Sequence, residues 1–343
     1  MSNKNFQDEI HFQTISLGNC LKRPYDKRDF RLSGIVGDSI DNEIPEEFSQ
    51  EDKFPVKMQY ARGSCTGQAF AHHKERDENV KISARFAMAI TKRLEGNKNY
   101  GAYTFNQFLA CRKFGACEEH LFPEPPASMS WEEYIDTSKI PVECFENAKT
   151  HKLDSAWVVE NSVMGFKRAF WKYKKSIVIS MNWLNIFNNQ YLINGVLPTD
   201  LKGSWSVGGH AVDGLITGWN KIGFSIKNSW SSSWGKNGSF ILPYEIFDKV
   251  VWEGIMDLDI PRDVPVDIRY GQPRTWNSFM QEQYQAFKNT WLKGKIGRLP
   301  SNREISGIVY GLWDWESIFK GRCGDIWLNY TKPEARDKKL ISY

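Results

Sequence analysis

The sequence lacks any long apolar run, and this argues against a membrane-spanning helix. No stretch approaches the roughly 18 apolar residues that cross a bilayer. The opening residues, MSNKNFQDEIHFQTISLGNC, have neither a basic start nor a continuous apolar stretch, so they do not resemble a Sec signal peptide. We expect a soluble cytoplasmic protein, while transport inside a virion or by a non-Sec export route stays open.

Cysteine is scarce and scattered, which argues against a disulfide framework and against a zinc site. The 343 residues include 6 cysteines, and no two of them have CxxC spacing or metal-ligand spacing with histidine. We expect reduced thiols, no metal and no organic cofactor. Cys111 and Cys117 are close enough in sequence to pair under oxidation, but two buried thiols are the simpler expectation.

Strong charge imbalance and internal repeats are also absent. The net charge is +4, and residues 263–343 contain 13 Lys and Arg against 9 Asp and Glu, so the excess lies in the tail. This excess is too small and too dispersed to predict nucleic-acid binding. An apolar content of 41% supports a globular core. We therefore expect a globular protein that binds neither nucleic acid nor membrane.

Three regions follow from the pattern of the chain. Residues 1–43 are polar and rich in turn residues, which is typical of an extended arm. Residues 44–262 contain helix patterns first and strand patterns later, which predicts an α+β domain whose two halves face each other. Residues 263–343 contain amphipathic helix candidates and predict a small helical extension. The tryptophans of this extension are more typical of a buried core, although contact between the extension and a protein partner stays open.

The predicted elements have clear boundary residues. One helix begins at Cys65 and runs to about Lys74, and two more end at Gly96 and Gly115, where glycine serves as the C-cap. Short runs rich in β-branched and aromatic residues predict the later strands: SIVISMNW, HAVDGLITGWN, GFSIKNSW and SFILPYE.

Cys65 is the candidate nucleophile. A helix N-terminus and a nearby imidazolium both lower the pKa of a thiol, and Cys65 follows Gly63 and Ser64 directly before a predicted helix. Taken alone, the same position also suits a buried small residue. The choice between these two interpretations depends on the partners that the rest of the chain supplies.

His210 is the candidate base. It stands at the head of an apolar strand after two glycines, whereas His72 and His73 are expected to face solvent on the Cys65 helix. Asn228, on the next predicted strand, can orient the His210 ring, although it also suits a turn. The Cys65 N–H and the Gln59 side chain are candidate donors to an oxyanion.

Three sequence blocks together resemble those of papain-like cysteine peptidases. They are QYARGSCTGQAFA, GGHAVDGLITGW and FSIKNSWSSSWGKNGSF, in the order Gln, Cys, His, Asn, and Thr66 after the nucleophile is similar to the bacterial branch. The resemblance covers about residues 25–260. It implies a helical left lobe, an antiparallel β right lobe and a substrate cleft between them.

The resemblance also assigns substrate contacts and shows departures from the pattern. Gly101 and Ala102 are implied to pair with the substrate backbone, and Gly209 and Trp230 are further candidate substrate-binding residues. Arg62 stands where many secreted relatives have a disulfide cysteine, which agrees with a reducing compartment. Ser231 and Ala102 each replace a glycine. The N-terminal arm is shorter than the inhibitory prosegment of the family, and whether it inhibits stays open.

The favoured hypothesis is a thiol endopeptidase that hydrolyses peptide bonds of a protein or peptide substrate. Its triad is Cys65, His210 and Asn228, with Gln59 at the oxyanion, and the product leaves by way of an acyl-enzyme. A second hypothesis is a papain-like shell that serves only as a structural or adhesive domain. A third is the same chemistry on isopeptide or cell-wall cross-links.

Overall fold

The structure is a computed structural model that describes residues 20–26, 29, 31–32, 38–188, 192 and 194–258. The predicted extension, residues 263–343, lies outside the described residues, as does much of the arm. The domain boundaries after residues 43 and 262 stay predictions. Within the described ranges, no helix is both long enough and apolar enough to cross a membrane.

Seven α-helices are present in this part of the chain. They are α1 (Cys65–Glu78), α2 (Ala84–Glu95), α3 (Thr104–Phe114), α4 (Trp131–Tyr134), α5 (Val142–Ala148), α6 (Val163–Tyr173) and α7 (Tyr244–Val250). Short 3-10 helices span Asp38–Glu43, Thr137–Lys139, Lys149–His151 and Asn185–Phe187.

Local sequence explains where the longer helices begin and end. The Ser83 hydroxyl accepts the Phe86 N–H at 3.0 Å and caps α2, which ends at Gly96 with a left-handed φ of 66°. α3 ends at Gly115, as predicted. α1 continues past the predicted end to Glu78, because Asn79 (φ 59°) provides the left-handed cap there.

The strands form one large antiparallel sheet and one small parallel pair. The strands are β1 (Cys20–Leu21), β2 (Phe48–Ser49), β3 (Ala102–Tyr103), β4 (Ala156–Val158), β5 (Ile177–Leu184), β6 (Ser206–Trp219), β7 (Gly223–Lys227), β8 (Ser239–Pro243) and β9 (Val251–Asp257). The large sheet has the order β4-β9-β5-β6-β7-β8, and β2 pairs with β6. β1 pairs with β3, in parallel. Helices early in the chain and an antiparallel sheet later confirm the predicted α+β class.

The main core lies between α1 and the sheet. Buried apolar side chains from both sides meet there, including Cys65 and Phe70 of α1, Val178 of β5 and Ala211 of β6. Gly67 lets α1 approach α2 closely, since a Cβ at this position would lie 2.9 Å from the Ala84 carbonyl oxygen. This packing holds the start of α1 against the strand that carries His210.

The expectation that His72 and His73 face solvent is wrong. Both side chains are buried, because α1 is enclosed on every side from Cys65 through Glu75. His72 Nε2 accepts the Lys57 N–H at 3.2 Å, and His73 contacts Ser176 and Asp257. A helix packed between a sheet and other helices has no solvent face, and polar residues on it must find partners inside the protein.

The described cysteines are all free and buried. Cys111 and Cys117 do not pair with each other. The Cys117 thiol instead donates to the Glu118 carbonyl at 3.4 Å, and Cys117 packs with Cys144 of α5 in a second apolar cluster beside α2 and α3.

Candidate active site

Cys65 is the first residue of α1 and is completely buried. The Ser64 side chain does not cap this helix, so the backbone N–H groups of the first turn are not satisfied by that hydroxyl. Cys65 packs in one buried cluster with Ala211, the residue after His210. Burial raises the pKa of the thiol, and the nearby Cys20 raises it further, while the polar backbone groups of Ala211, Thr66 and Cys65 itself oppose the rise.

His210 and Asn228 form a hydrogen bond with a defined direction. His210 Nε2 lies 2.7 Å from Asn228 Oδ1, and the same oxygen accepts the Ser229 N–H at 2.8 Å. A backbone N–H can only donate, so the shared atom is the amide oxygen and Nε2 must carry a proton. In the neutral imidazole, Nδ1 is therefore the basic nitrogen.

Two tryptophans enclose the His210 ring. Trp230 stacks on it with ring centroids 4.8 Å apart, and Trp183 meets it edge-on at 5.1 Å. Burial in this apolar box lowers the pKa of His210 to about 4, and the hydrogen bond to Asn228 opposes that shift only in part. The imidazole is neutral at pH 7 in this state.

Gln59 lies beside the segment that carries Asn228. Its side-chain oxygen accepts the Ser229 hydroxyl at 2.8 Å, and its backbone N–H donates to the Ser229 carbonyl at 2.9 Å. Its amide nitrogen donates to the Arg62 carbonyl at 3.3 Å. These contacts fix the amide in one orientation, with its N–H groups on the side of the loop that leads to Cys65.

The chain's own arm lies along the predicted substrate contacts. β1 places Cys20 opposite Ala102 and Leu21 opposite Tyr103. Across the groove, a Cβ on Gly209 would collide with the Cys20 carbonyl oxygen. Gly101, just before β3, has a left-handed φ of 75°, and its carbonyl accepts the Lys92 ammonium at 2.8 Å. Ala102 and Gly209 therefore face each other across β1.

A comparison with solved structures identifies the architecture. No family model matches the chain. Xylellain, a cysteine protease from Xylella fastidiosa, has a solved structure that covers 71% of this chain and 97% of its own, with a TM-score of 0.63 and 22% identity. The chain has the papain-like cysteine protease fold.

One sequence relative is named as a peptidase-like protein. An uncharacterized peptidase C1-like protein of Acanthamoeba polyphaga mimivirus is 25% identical over 213 residues, which are 59% of this chain. The match spans 66% of the length of that relative.

Arg62, which the resemblance aligns with a disulfide cysteine, forms an ion pair with Glu124. Its guanidinium lies 3.0 Å from Glu124 and stacks over the Tyr134 ring at 4.9 Å. Burial raises the pKa of Glu124 to about 7, although Tyr134 and Arg62 oppose the shift. This noncovalent network holds the loop before Cys65.

Sequence reasoning missed two partners of the site. Trp183 lies in the predicted strand SIVISMNW, but a strand pattern does not tell which ring will contact His210. Ser229 bridges Gln59 and Asn228, and its place inside the IKNSW block was the only available signal. The arm contacts were also missed, because turn-rich polar residues carry no pattern that points to a groove.

One group of described residues has metal-ligand types close together. Ligand atoms of His73, Asp77 and Asp257 lie within 4.8 Å of one another. The Lys175 ammonium already contacts both carboxylates, at 2.7 Å from Asp77 and 3.2 Å from Asp257. An internal cation therefore neutralises this group.

Proposed function

We propose that this papain-like chain is a thiol endopeptidase in which Cys65, His210 and Asn228 act together. The observation that carries the proposal is the His210–Asn228 hydrogen bond at 2.7 Å beneath Trp230, on a strand whose next residue, Ala211, packs in the same buried cluster as Cys65. A base needs a fixed tautomer to take a proton from a nucleophile, and Asn228 supplies that fixation.

The proposed reaction begins with proton transfer from the Cys65 sulfur to His210 Nδ1. The resulting thiolate attacks the peptide carbonyl carbon, and a tetrahedral intermediate forms with its charge on oxygen. His210 then gives the proton to the leaving amine, which leaves an acyl-enzyme. Water hydrolyses the thioester with His210 as base, and the thiol is restored.

Gln59 and the Cys65 N–H are the proposed oxyanion donors. Gln59 is held by Ser229 and Arg62, so its amide is oriented before substrate binds. Preorganised donors of this kind stabilise the developing charge without reorganising during the reaction.

While β1 is in place, the neutral forms of the Cys65 thiol and the His210 imidazole are favoured. Burial raises the pKa of Cys65 and lowers that of His210, and β1 contributes to that burial. In this proposal, departure of the arm lets water and substrate enter, and the ion pair then becomes accessible.

The test combines labelling with peptide cleavage in the full chain. Iodoacetamide should label Cys65 ahead of the other thiols, and Cys65→Ala should abolish cleavage of an unstructured protein such as casein. Cys111→Ala, a buried thiol elsewhere, is the matched control and should keep its activity. Failure to label Cys65 together with no cleavage by the unmodified chain would contradict the proposal.

One observation favours a noncatalytic shell as a second candidate: Cys65 is completely buried, in one apolar cluster with Cys20 of the arm. If Cys65→Ala preserved the biological role in the source organism, that candidate would replace the first. Isopeptide or cell-wall substrates stay a prediction, and comparing digestion of peptides with digestion of cross-linked peptidoglycan separates them from ordinary peptide bonds.

A further inference from the structure

The arm segment from Cys20 to Arg23 occupies the groove that a substrate backbone needs. Cys20 pairs with Ala102 on one wall and contacts Gly209 on the other. The Cys20 thiol lies 3.4 Å from the Thr104 hydroxyl and shares an apolar cluster with Cys65. Any peptide that reaches Cys65 along β3 must take the place of this segment.

Arg23 is the side chain of that segment most firmly held by the body of the protein. Its Nε donates to Glu253 Oε1 at 2.7 Å, and its guanidinium lies 4.2 Å from the centre of the Phe105 ring. Glu253 belongs to β9 and Phe105 to α3, so both lie outside the arm. The third contact, Asp29, belongs to the arm itself and departs with it.

The Glu253 carboxylate is poorly exposed and is stabilised by a cationic partner at the position of the Arg23 guanidinium. Its side chain is 11% exposed and that of Arg23 is 14% exposed, so water hydrates the pair poorly. Burial raises the pKa of Glu253 and Asp29 adds to the rise, while Arg23 and the more distant Arg31 oppose it. Removal of the arm takes away both of these arginines and leaves the poorly hydrated Glu253 carboxylate without a partner among these groups.

We propose that Glu253 and Phe105 form a specificity pocket for a basic side chain of the peptide substrate, and that Arg23 occupies this pocket until substrate displaces it. The inference rests on the proposed peptidase function. Arginine suits the pocket better than lysine, because a planar guanidinium can bond a carboxylate and stack on a ring at once. Acidic side chains are excluded by charge repulsion.

Binding and cleavage of matched peptides test the pocket. The probes are fluorogenic peptides that differ only in carrying Arg, Leu or Glu at each of the four positions before the cleaved bond. At one position, we expect the Arg23→Ala protein to prefer Arg over Leu at least 10-fold in kcat/KM. In Glu253→Gln that ratio should fall at least 10-fold, whereas Asp41→Asn, which loses the ion pair with Arg168 elsewhere, should leave it unchanged.

A second variant and a binding assay keep the test decisive. Phe105→Leu should lower the Arg-over-Leu ratio several-fold even if Glu253→Gln does not fold. Calorimetric binding of the same peptides to Cys65→Ala,Arg23→Ala protein measures the preference without catalysis. Equal binding of Arg and Leu peptides, or an unchanged ratio in both pocket variants, would overturn the pocket while leaving peptidase activity intact. Absence of any cleavage with a retained Arg preference in binding would instead overturn the proposed function.

Discussion

Two buried histidines in this protein have similar hydrogen-bond patterns and opposite electrical surroundings. His210 bonds a neutral amide and lies between tryptophan rings. His73 lies 2.9 Å from the Ser176 hydroxyl and 2.7 Å from the Asp257 carboxylate, the arrangement of a hydrolase triad. Burial lowers the pKa of both rings, but Asp257 reverses the shift at His73 and raises its pKa.

The difference shows that triad geometry alone does not identify a reactive site. The His73 group is buried where α1 packs against the start of β5 and the end of β9, and its carboxylate holds the imidazole as a charged partner. The His210 group lies next to Gly209, which Cys20 of the short β1 covers, and its neutral partner orients the ring without fixing its charge. Accessibility of the site and the charge of the histidine's partner, more than hydrogen-bond distances, distinguish a structural ion pair from a candidate base.

The largest expected effect compares the Cys65 thiol with the Ser176 hydroxyl, the hydroxyl of the His73 group. Cys65→Ala should lower kcat/KM for peptide cleavage by about 10³-fold or more, since the attacking group is gone. Ser176→Ala should stay within about 2-fold of the unmodified chain, because its hydroxyl is buried and serves His73. Steady-state kinetics on one peptide measures both. Loss of activity in a folded Ser176→Ala protein would break the comparison.

The next effect concerns stability of the charged group. Asp257→Asn should lower the free energy of unfolding by about 3–5 kcal/mol, because the carboxylate that faces His73, Lys175 and Lys74 is removed. Asp154→Asn, at an exposed acid, is the control and should change it by less than about 0.5 kcal/mol. Urea unfolding at pH 6 measures both variants. A small loss in Asp257→Asn would show that the group is not a stabilising network.

The pH dependence of stability should have opposite signs at the two histidines. The pKa of His210 is about 4 when folded against an ordinary 6.5, so the unfolded chain binds more protons and stability falls as pH drops from 6.5 towards 4. The pKa of His73 is raised, so its contribution is present below 6.5 and is lost as pH rises through the folded pKa.

Glutamine variants isolate each contribution. Relative to the unmodified chain, His210→Gln should lose less stability between pH 6.5 and 4, and His73→Gln should lose less above pH 6.5. Urea unfolding across pH 4–9 measures the difference curves, which remove contributions from other groups. If the difference in stability changed with pH in the same direction for both variants, the opposite pKa shifts assigned to His210 and His73 would be contradicted.

The smallest expected effect concerns the loop after Asn228. Ser231 replaces a glycine of the resembling family and has a left-handed φ of 67°. Ser231→Gly should raise the free energy of unfolding by up to about 1 kcal/mol, because it relieves the backbone strain at some cost in chain entropy. Ser232→Gly, one residue on, should lower it slightly. Thermal unfolding distinguishes the two variants. A lower stability of Ser231→Gly would contradict the claim that the Ser231 backbone is strained.

The sequence predicted the elements whose signals are local. Gly96 and Gly115 marked helix ends because few other residues adopt those cap conformations. The order of helices and strands predicted the α+β class, and ordered Cys, His and Asn blocks pointed to the fold that the comparisons show. The roles of Gln59, Cys65, His210 and Asn228 stay predictions that the variants above test.

Tertiary structure alone decided which polar residues are buried and what lies in the groove. His72 and His73 stand on a helix whose every side is covered, a fact that depends on neighbours far along the chain. The pairing of Cys20 with Ala102 and of Arg23 with Glu253 joins residues that are distant in sequence. Helix caps and motif order follow from neighbouring residues, whereas burial, pKa shifts and groove occupancy arise only when distant segments pack together.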